Sequence, residues 1–176
     1  FTRAEEVGFV GATKMAKVWP FRSDACFVSI ETSVAVDRAK MGGGPMCRVG
    51  DRISTFDHTA TAAILEAGNR HSVKTQRALL DRGACEASGL QAYGVRTAGI
   101  SVPLGNYHNC GSEDLISPEF IEISDVEGLF DLMMATLEEF PKGPMDCSTD
   151  LRERFESRFD THLPFMDGTQ DMFLSP

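Results

Sequence analysis

The stretch "GVRTAGISVPLGNYHN", Gly94 to Asn109, decides how this chain is read. Val95 to Val102 is rich in β formers and runs into Pro103, so it is expected to be a strand that hands over to a loop. That loop, "LGNYHN", bears His108. Working outward, "ACFVSI" (Ala25 to Ile30) is a compact apolar run suited to a buried strand, and "MCRVGDR" (Met46 to Arg52) reads as a further short one. Phe1 to Glu6 reads as the end of a strand, and Glu119 to Ile123 alternates as another. Between them fall helices. Val7 to Lys17 is a short one with Gly8 and Gly11 on it, and Thr59 to Asn69 and Ala84 to Tyr93 follow. The clearest is Asp125 to Phe140, where Val126, Leu129, Phe130, Met133 and Leu137 form a stripe and Asp125 stands as N-cap. Thr75 to Leu80 fits either element, and "MGGGPM" (Met41 to Met46) is a turn or loop. Strands alternating with helices predict an α/β fold: a three-layer α/β/α sandwich on a mixed, largely parallel sheet. After Pro141 the chain turns polar, and "DLRERFESRF" reads as one last amphipathic helix, so residues 146–176 are expected to be an extension beyond a 1–145 unit.

The chain has 176 residues and a formal net charge of −9, with 26 acidic against 17 basic side chains. An acidic balance argues against nucleic acid as partner, because phosphate binding needs a basic surface. No apolar run reaches the ~18 residues of a membrane span, and no signal peptide is visible. Five scattered cysteines, never spaced CxxC, read as small buried thiols in a reducing, cytoplasmic setting.

Ligands of open α/β sheets collect at the carboxyl ends of strands. Three expected strand ends here carry metal-type side chains: Glu5 with Glu6, then Glu31 after "ACFVSI", then His108 after "VRTAGISVP". Carboxylates with an imidazole are the donor set of hydrolytic zinc or cobalt sites. Of two adjacent glutamates, one can bind metal while the other serves as general base. Spacing alone also allows a solvated helix face for Glu5-Glu6 and plain surface positions for Glu31 and His108. It is the co-occurrence, each flanked by apolar or Gly residues, that groups them.

On these residues the chain resembles the dinuclear metallo-aminopeptidases, the clan of the glutamyl, tetrahedral, deblocking and aspartyl aminopeptidases. "FTRAEEVGFVGA" (Phe1 to Ala12) is similar to their Glu-Glu segment, "FVSIETS" (Phe27 to Ser33) to the segment with a further carboxylate ligand, and "GVRTAGISVPLGNYHN" to the one delivering the last histidine. The resemblance runs over Phe1 to Leu137. It implies Glu5 as general base, Glu6 and His108 on the second metal, and Glu31 on the first, in place of the Asp often found there. It also implies two divalent ions, zinc first and cobalt or manganese next, ~3.5–4 Å apart. "RGACEASGL" (Arg82 to Leu90) is similar to a segment near the family's site, which makes Glu86 a candidate contact for a substrate amine; a first-turn glutamate favoured by the helix dipole is the other reading. "MGGGPMCRVGD" resembles a loop bordering that site.

The function so implied is a metal-dependent exopeptidase, an aminopeptidase acting on peptides and self-assembling through other parts of the protein. The family's upstream His-x-Asp and bridging Asp have no counterpart here. Residues 1–145 are therefore expected to be the C-terminal half of a catalytic domain, its sheet incomplete on the N-terminal side, and the chain alone a poor hydrolase. The alternatives are an amidohydrolase or deacylase on the same metal scaffold, or a non-catalytic domain that keeps the fold.

Overall fold

A computed structural model describes residues 3–18, 20–112, 115–140, 152–153 and 155–161. In chain order its elements are α1 (Val10–Val18), β1 (Cys26–Val34), β2 (Met46–Asp51), α2 (His58–Arg70), β3 (Gln76–Leu80), α3 (Glu86–Gln91), β4 (Arg96–Gly105), β5 (Phe120–Ile121) and α4 (Ile123–Glu139), with a 3-10 turn at Tyr107–Asn109. The strands form one mixed sheet in the order β1-β4-β2-β3, with β5 also paired to β4. β1 runs parallel to β4 over nine residue pairs, from Cys26 opposite Arg96 to Val34 opposite Leu104. β2 is parallel to β3 and antiparallel to β4, and β5 is antiparallel to the end of β4.

Alternation along the strands sorts side chains between two helical layers. On one face Cys26 and Val28 of β1, Cys47 of β2 and Ala98 and Ile100 of β4 pack with Ala60 and Ile64 of α2 and Leu132 of α4. On the other face Phe27 packs with Ala12 and Ala16 of α1 and Leu90 of α3. The three-layer arrangement follows. α2 begins at a true cap, where the Asp57 carboxylate accepts the N–H of Ala60 at 2.7 Å. α4 is fixed by Asp125, a fully buried carboxylate in its first turn that accepts the N–H groups of Gly42 and Gly44 at 2.7 Å each. Gly44 has φ +90°, and a Cβ there would lie 2.0 Å from the Lys74 carbonyl oxygen, so only glycine permits this approach.

Several expected elements shift. Arg3 to Glu5 is not a strand: Ala4 has φ 60°, and the Glu5 carbonyl accepts N–H bonds from Gly8 and Phe9, so the Glu pair sits in a turn. Left-handed φ at Gly8 and Phe9 delays α1 to Val10. β1 continues four residues beyond Ile30, which puts Glu31 inside a strand. β4 passes through Pro103 to Gly105, because Pro103 lies beyond the last β2 partner, Met46 opposite Ser101, and its missing N–H breaks no bond on that side. α4 starts at Ile123 with Glu122 as cap, and Asp125 is a buried anchor rather than the N-cap. Trp19, Cys147 and His162 lie outside the described residues.

By contacts the chain divides into two units, Phe1–Met145 and Asp146–Pro176. In the second, 155–161 is helical and the Thr161 hydroxyl donates to the Ser157 carbonyl at 2.7 Å.

Leu132 is wholly enclosed where α4 meets α2 and the sheet. Leu132→Ala should lower unfolding free energy by about 3 kcal/mol, the usual cost of an unfilled core cavity, read from the urea midpoint at unchanged m-value.

Candidate active site

The sheet face covered by α1 and α3 carries an unusual charge. Arg48, on β2, is 2% exposed. Its strand neighbours Met46 and Cys47 are buried apolar residues, so the guanidinium leaves a hydrophobic strand and must find a counter-charge inside the protein. It finds Glu31, whose side chain is 28% exposed: Nη1 of Arg48 donates to Oε1 of Glu31 in a part-buried ion pair. The two residues are on strands that do not pair with each other. β4 lies between them, with Gly99 opposite Arg48 and Ser101 opposite Glu31. Gly99 leaves the passage open, since a Cβ there would lie 3.3 Å from both Cβ and Cδ of Arg48 and 2.9 Å from the Phe56 ring. That ring also faces the guanidinium, at 5.7 Å from Cζ to centroid. The Ser29 hydroxyl donates to the same Glu31 oxygen at 3.3 Å. Arg48 Nε and the Ser101 hydroxyl are buried without a hydrogen-bond partner among the described residues. A cavity of about 20 Å³, lined by Glu31, Ser33, Arg48, Gly83 and Tyr107 among others, adjoins the pair, large enough for roughly one water.

Glu5 belongs to the same neighbourhood. Burial raises its carboxyl above the usual range, the Glu86 and Glu6 carboxylates push it further in that direction, and Arg48 pulls the other way. Glu5, Glu86, Glu6 and Arg48 are thus close enough to share a field. Glu6 is exposed.

Glu86 is presented by the first turn of α3, and that turn is tied to the sheet by Asp51 at the end of β2. The buried Asp51 carboxylate accepts from the Ser88 hydroxyl at 2.6 Å and from the backbone N–H of Cys85 at 3.0 Å, Ile53 at 2.8 Å and Ser54 at 3.0 Å. Burial alone would raise its pKa; these four donors outweigh that and hold it below the usual value. Three thiols are held protonated by burial, which pushes Cys47 up to about 12 and Cys26 to about 11 and raises Cys85 as well.

His108 stands on the turn after β4. Asn106, His108 and Asn109 all have φ between 52° and 59°, a left-handed run that non-glycine residues adopt at a cost. The turn is held from outside, by the His108 N–H donating to Glu119 Oε1 at 2.8 Å and the Asn106 amide donating to the Pro118 carbonyl at 2.8 Å. Tyr107 and His108 stack, with centroids 4.0 Å apart. The imidazole is exposed, while Tyr107 lines the same cavity as Glu31.

Glu86, Glu6 and Arg48 thus act electrostatically on Glu5, Arg48 pairs with Glu31, and His108 stands on a strained turn beside Tyr107, which lines the same cavity as Glu31. Among the described residues no three His, Cys, Asp or Glu side chains gather so as to hold a metal ion. Glu6 and His108 carry cation-type donors and make no side-chain hydrogen bond to a described residue. Glu31 fits a cation poorly, because its charge is already matched by Arg48. Arg48 and Asp51 escaped the sequence reading. The available signal was parity: Phe27, Ser29 and Glu31 share one strand face, and an arginine at an inward position of "MCRVGD" required a partner there.

An open mixed sheet between helical layers, with strand ends and their loops carrying the candidate carboxylates and histidine, is an α/β architecture of the kind that gathers ligands at one edge of its sheet. The model of the M42 glutamyl aminopeptidase family matches residues 1–130, and the chain belongs to that family. No curated protein sequence matches the chain significantly. Solved structures share the fold. An aminopeptidase from the archaeon Desulfurococcus kamchatkensis superposes with TM-score 0.65 at 20% identity, covering 80% of this chain and 40% of that one. The Pyrococcus horikoshii TET1 peptidase, which can assemble into a tetrahedron or a large octahedral shell, gives 0.62 at 24% over 77% and 38%. A TET aminopeptidase from a marine-sediment thaumarchaeon gives 0.61 at 21% over 80% and 41%. The chain thus spans about two fifths of the length of these structures. Among the described residues no helix is long and apolar enough to cross a membrane.

Asp51 anchors the turn that carries Glu86, so Asp51→Ala should destabilise the fold by about 3 kcal/mol through its stranded donors. Because the folded carboxyl titrates below the unfolded one, the stabilisation is present at neutral pH. It should fade as pH falls through the folded value, seen as converging wild-type and Asp51→Asn urea curves in acid.

Proposed function

We propose that the intact protein is a metal-dependent aminopeptidase, with Glu5 as the group that moves the proton. The observation that supports this best is the setting of Glu5. A half-buried carboxyl whose affinity for protons is raised by burial and by two neighbouring carboxylates is suited to take a proton from water and return it to a departing amine. Family membership supplies the reaction class. Glu6 and His108 are the side chains proposed to hold a divalent ion, which when bound would polarise the scissile carbonyl. Glu86, on the turn tied down by Asp51 and acting electrostatically on Glu5, is proposed to receive the free ammonium of a peptide N-terminus. A carboxylate there would favour exopeptidase over endopeptidase action, since an internal peptide bond offers no such cation.

Two protein donors are fewer than the three a catalytic zinc usually keeps, so the 176 residues by themselves should hydrolyse poorly. The four described cysteines are all free thiols, which fits a reducing compartment. Self-assembly of the intact protein is proposed by analogy with the shells formed by the Pyrococcus horikoshii peptidase.

The test is Glu5→Gln in the intact protein, assayed on aminoacyl amides and short peptides. Turnover should drop by ~10²-fold or more, the ordinary worth of a general base, with metal content measured by plasma emission unchanged. Activity within a few fold of wild type would remove Glu5 from the mechanism.

A further inference from the structure

We infer that Arg48 is the resident cation at Glu31, replacing one of the two metal ions that the family resemblance implies, so that the intact protein binds one divalent ion per chain. This deepens the reading above and rests on it, since it presupposes a metal-dependent protein.

Four observations lead here. First, Glu31 is occupied: Oε1 accepts from Arg48 Nη1 and from the Ser29 hydroxyl. Second, Arg48 cannot easily withdraw. Its side chain is 3% exposed, it rises from the middle of a paired strand, and it is lodged between the Phe56 ring and the bare backbone of Gly99. Third, Arg48 is already short of acceptors, with Nε buried and unpartnered among the described residues. Surrendering Glu31 to a metal would leave a guanidinium inside the protein without the carboxylate that bonds it, and a buried ion that loses its partner is heavily penalised. Fourth, a second cation drawn to Glu31 would meet that fixed positive charge at close range in a medium that screens weakly. An ordinary metal carboxylate has none of these encumbrances.

The arrangement also makes sense of the passage over β4. Glycine at position 99 and a small serine at 101 clear the space between β1 and β2 through which the two side chains reach each other. A metal-ligating Glu31 would need no such corridor. In this role Glu31 is the counter-ion of Arg48, and Arg48 is a positioning residue. It holds a permanent positive charge within reach of Glu5, as a metal would, but cannot accept a water or a carbonyl oxygen as ligand.

The experiment counts metal. The intact protein is stripped with chelator and dialysed. It is then titrated with Zn²⁺ by calorimetry and, separately, with Co²⁺ followed by its visible absorption. One equivalent per chain is expected for wild type. Glu31→Gln should leave that count unchanged, and Arg48→Met, which frees the Glu31 carboxylate, should gain a second equivalent. Two tight equivalents in wild type, falling to one in Glu31→Gln, would overturn the inference while leaving the metallopeptidase reading intact. A count that stays at one in a folded Arg48→Met variant would also overturn it. No bound metal, with hydrolysis indifferent to chelator, would instead remove the metal-dependent reading, and the inference with it. The wild-type count stands without any variant, so a substitution that fails to fold cannot shield the inference.

Discussion

Everything on the site face depends on β4 being buried on both sides. From Thr97 to Leu104 every residue is enclosed, and the strand pairs with β1 along one edge, β2 along the other and β5 at its end. A strand in that position has no side for polar groups to escape to water. Its composition answers the constraint with small or apolar residues, and the side chains of its neighbours must meet across it. Glu31 and Arg48 face one another because β4 places their strands two positions apart in the sheet and offers only Gly99 and Ser101 in between. The histidine turn is likewise a consequence of where β4 ends.

The chain handles buried charge in the same way at three points, each time with a full set of hydrogen bonds or an opposite charge. Asp125 accepts two glycine N–H groups and so docks α4 against the "MGGGP" loop. Asp51 accepts four donors and so docks α3 against β2. Arg48 takes Glu31 and so braces β2 against β1. Each lies at a junction between elements distant in sequence. A buried ion is expensive when unpaired, so each one strongly disfavours any arrangement that separates its partners. Hydrophobic packing brings the layers together, and these polar contacts decide which residues meet when they do.

The layer architecture was legible in the sequence because it is written in local patterns. The stripe of α4, the apolar runs of β1 and β4 and the glycine-rich loop each show themselves within a dozen residues. Boundaries were less legible where backbone conformation overrode pattern: Ala4 and Phe9 adopt left-handed φ that nothing in "FTRAEEVGF" announces, and Pro103 suggested a stop where the absence of β2 permits continuation. Of the candidate site, residue types could be named from the sequence. The Arg48–Glu31 pair was not legible, because it spans 17 positions and requires knowing that β4 lies between β1 and β2. That order depends on a mixed sheet in which β2 runs against β4, and no spacing rule along the chain encodes it.

The electrostatics of the site face follow from this wiring. Glu5, Glu6, Glu31 and Glu86 bring four acidic groups to one region of a protein that is already acidic overall. The Glu86 and Glu6 charges raise the proton affinity of Glu5, adding to the effect of its burial. One fixed guanidinium cannot neutralise all four. It offsets Glu31 by direct contact and only moderates Glu5 from further away, as the net upward shift at Glu5 shows. What remains is a region whose negative charge is only partly offset.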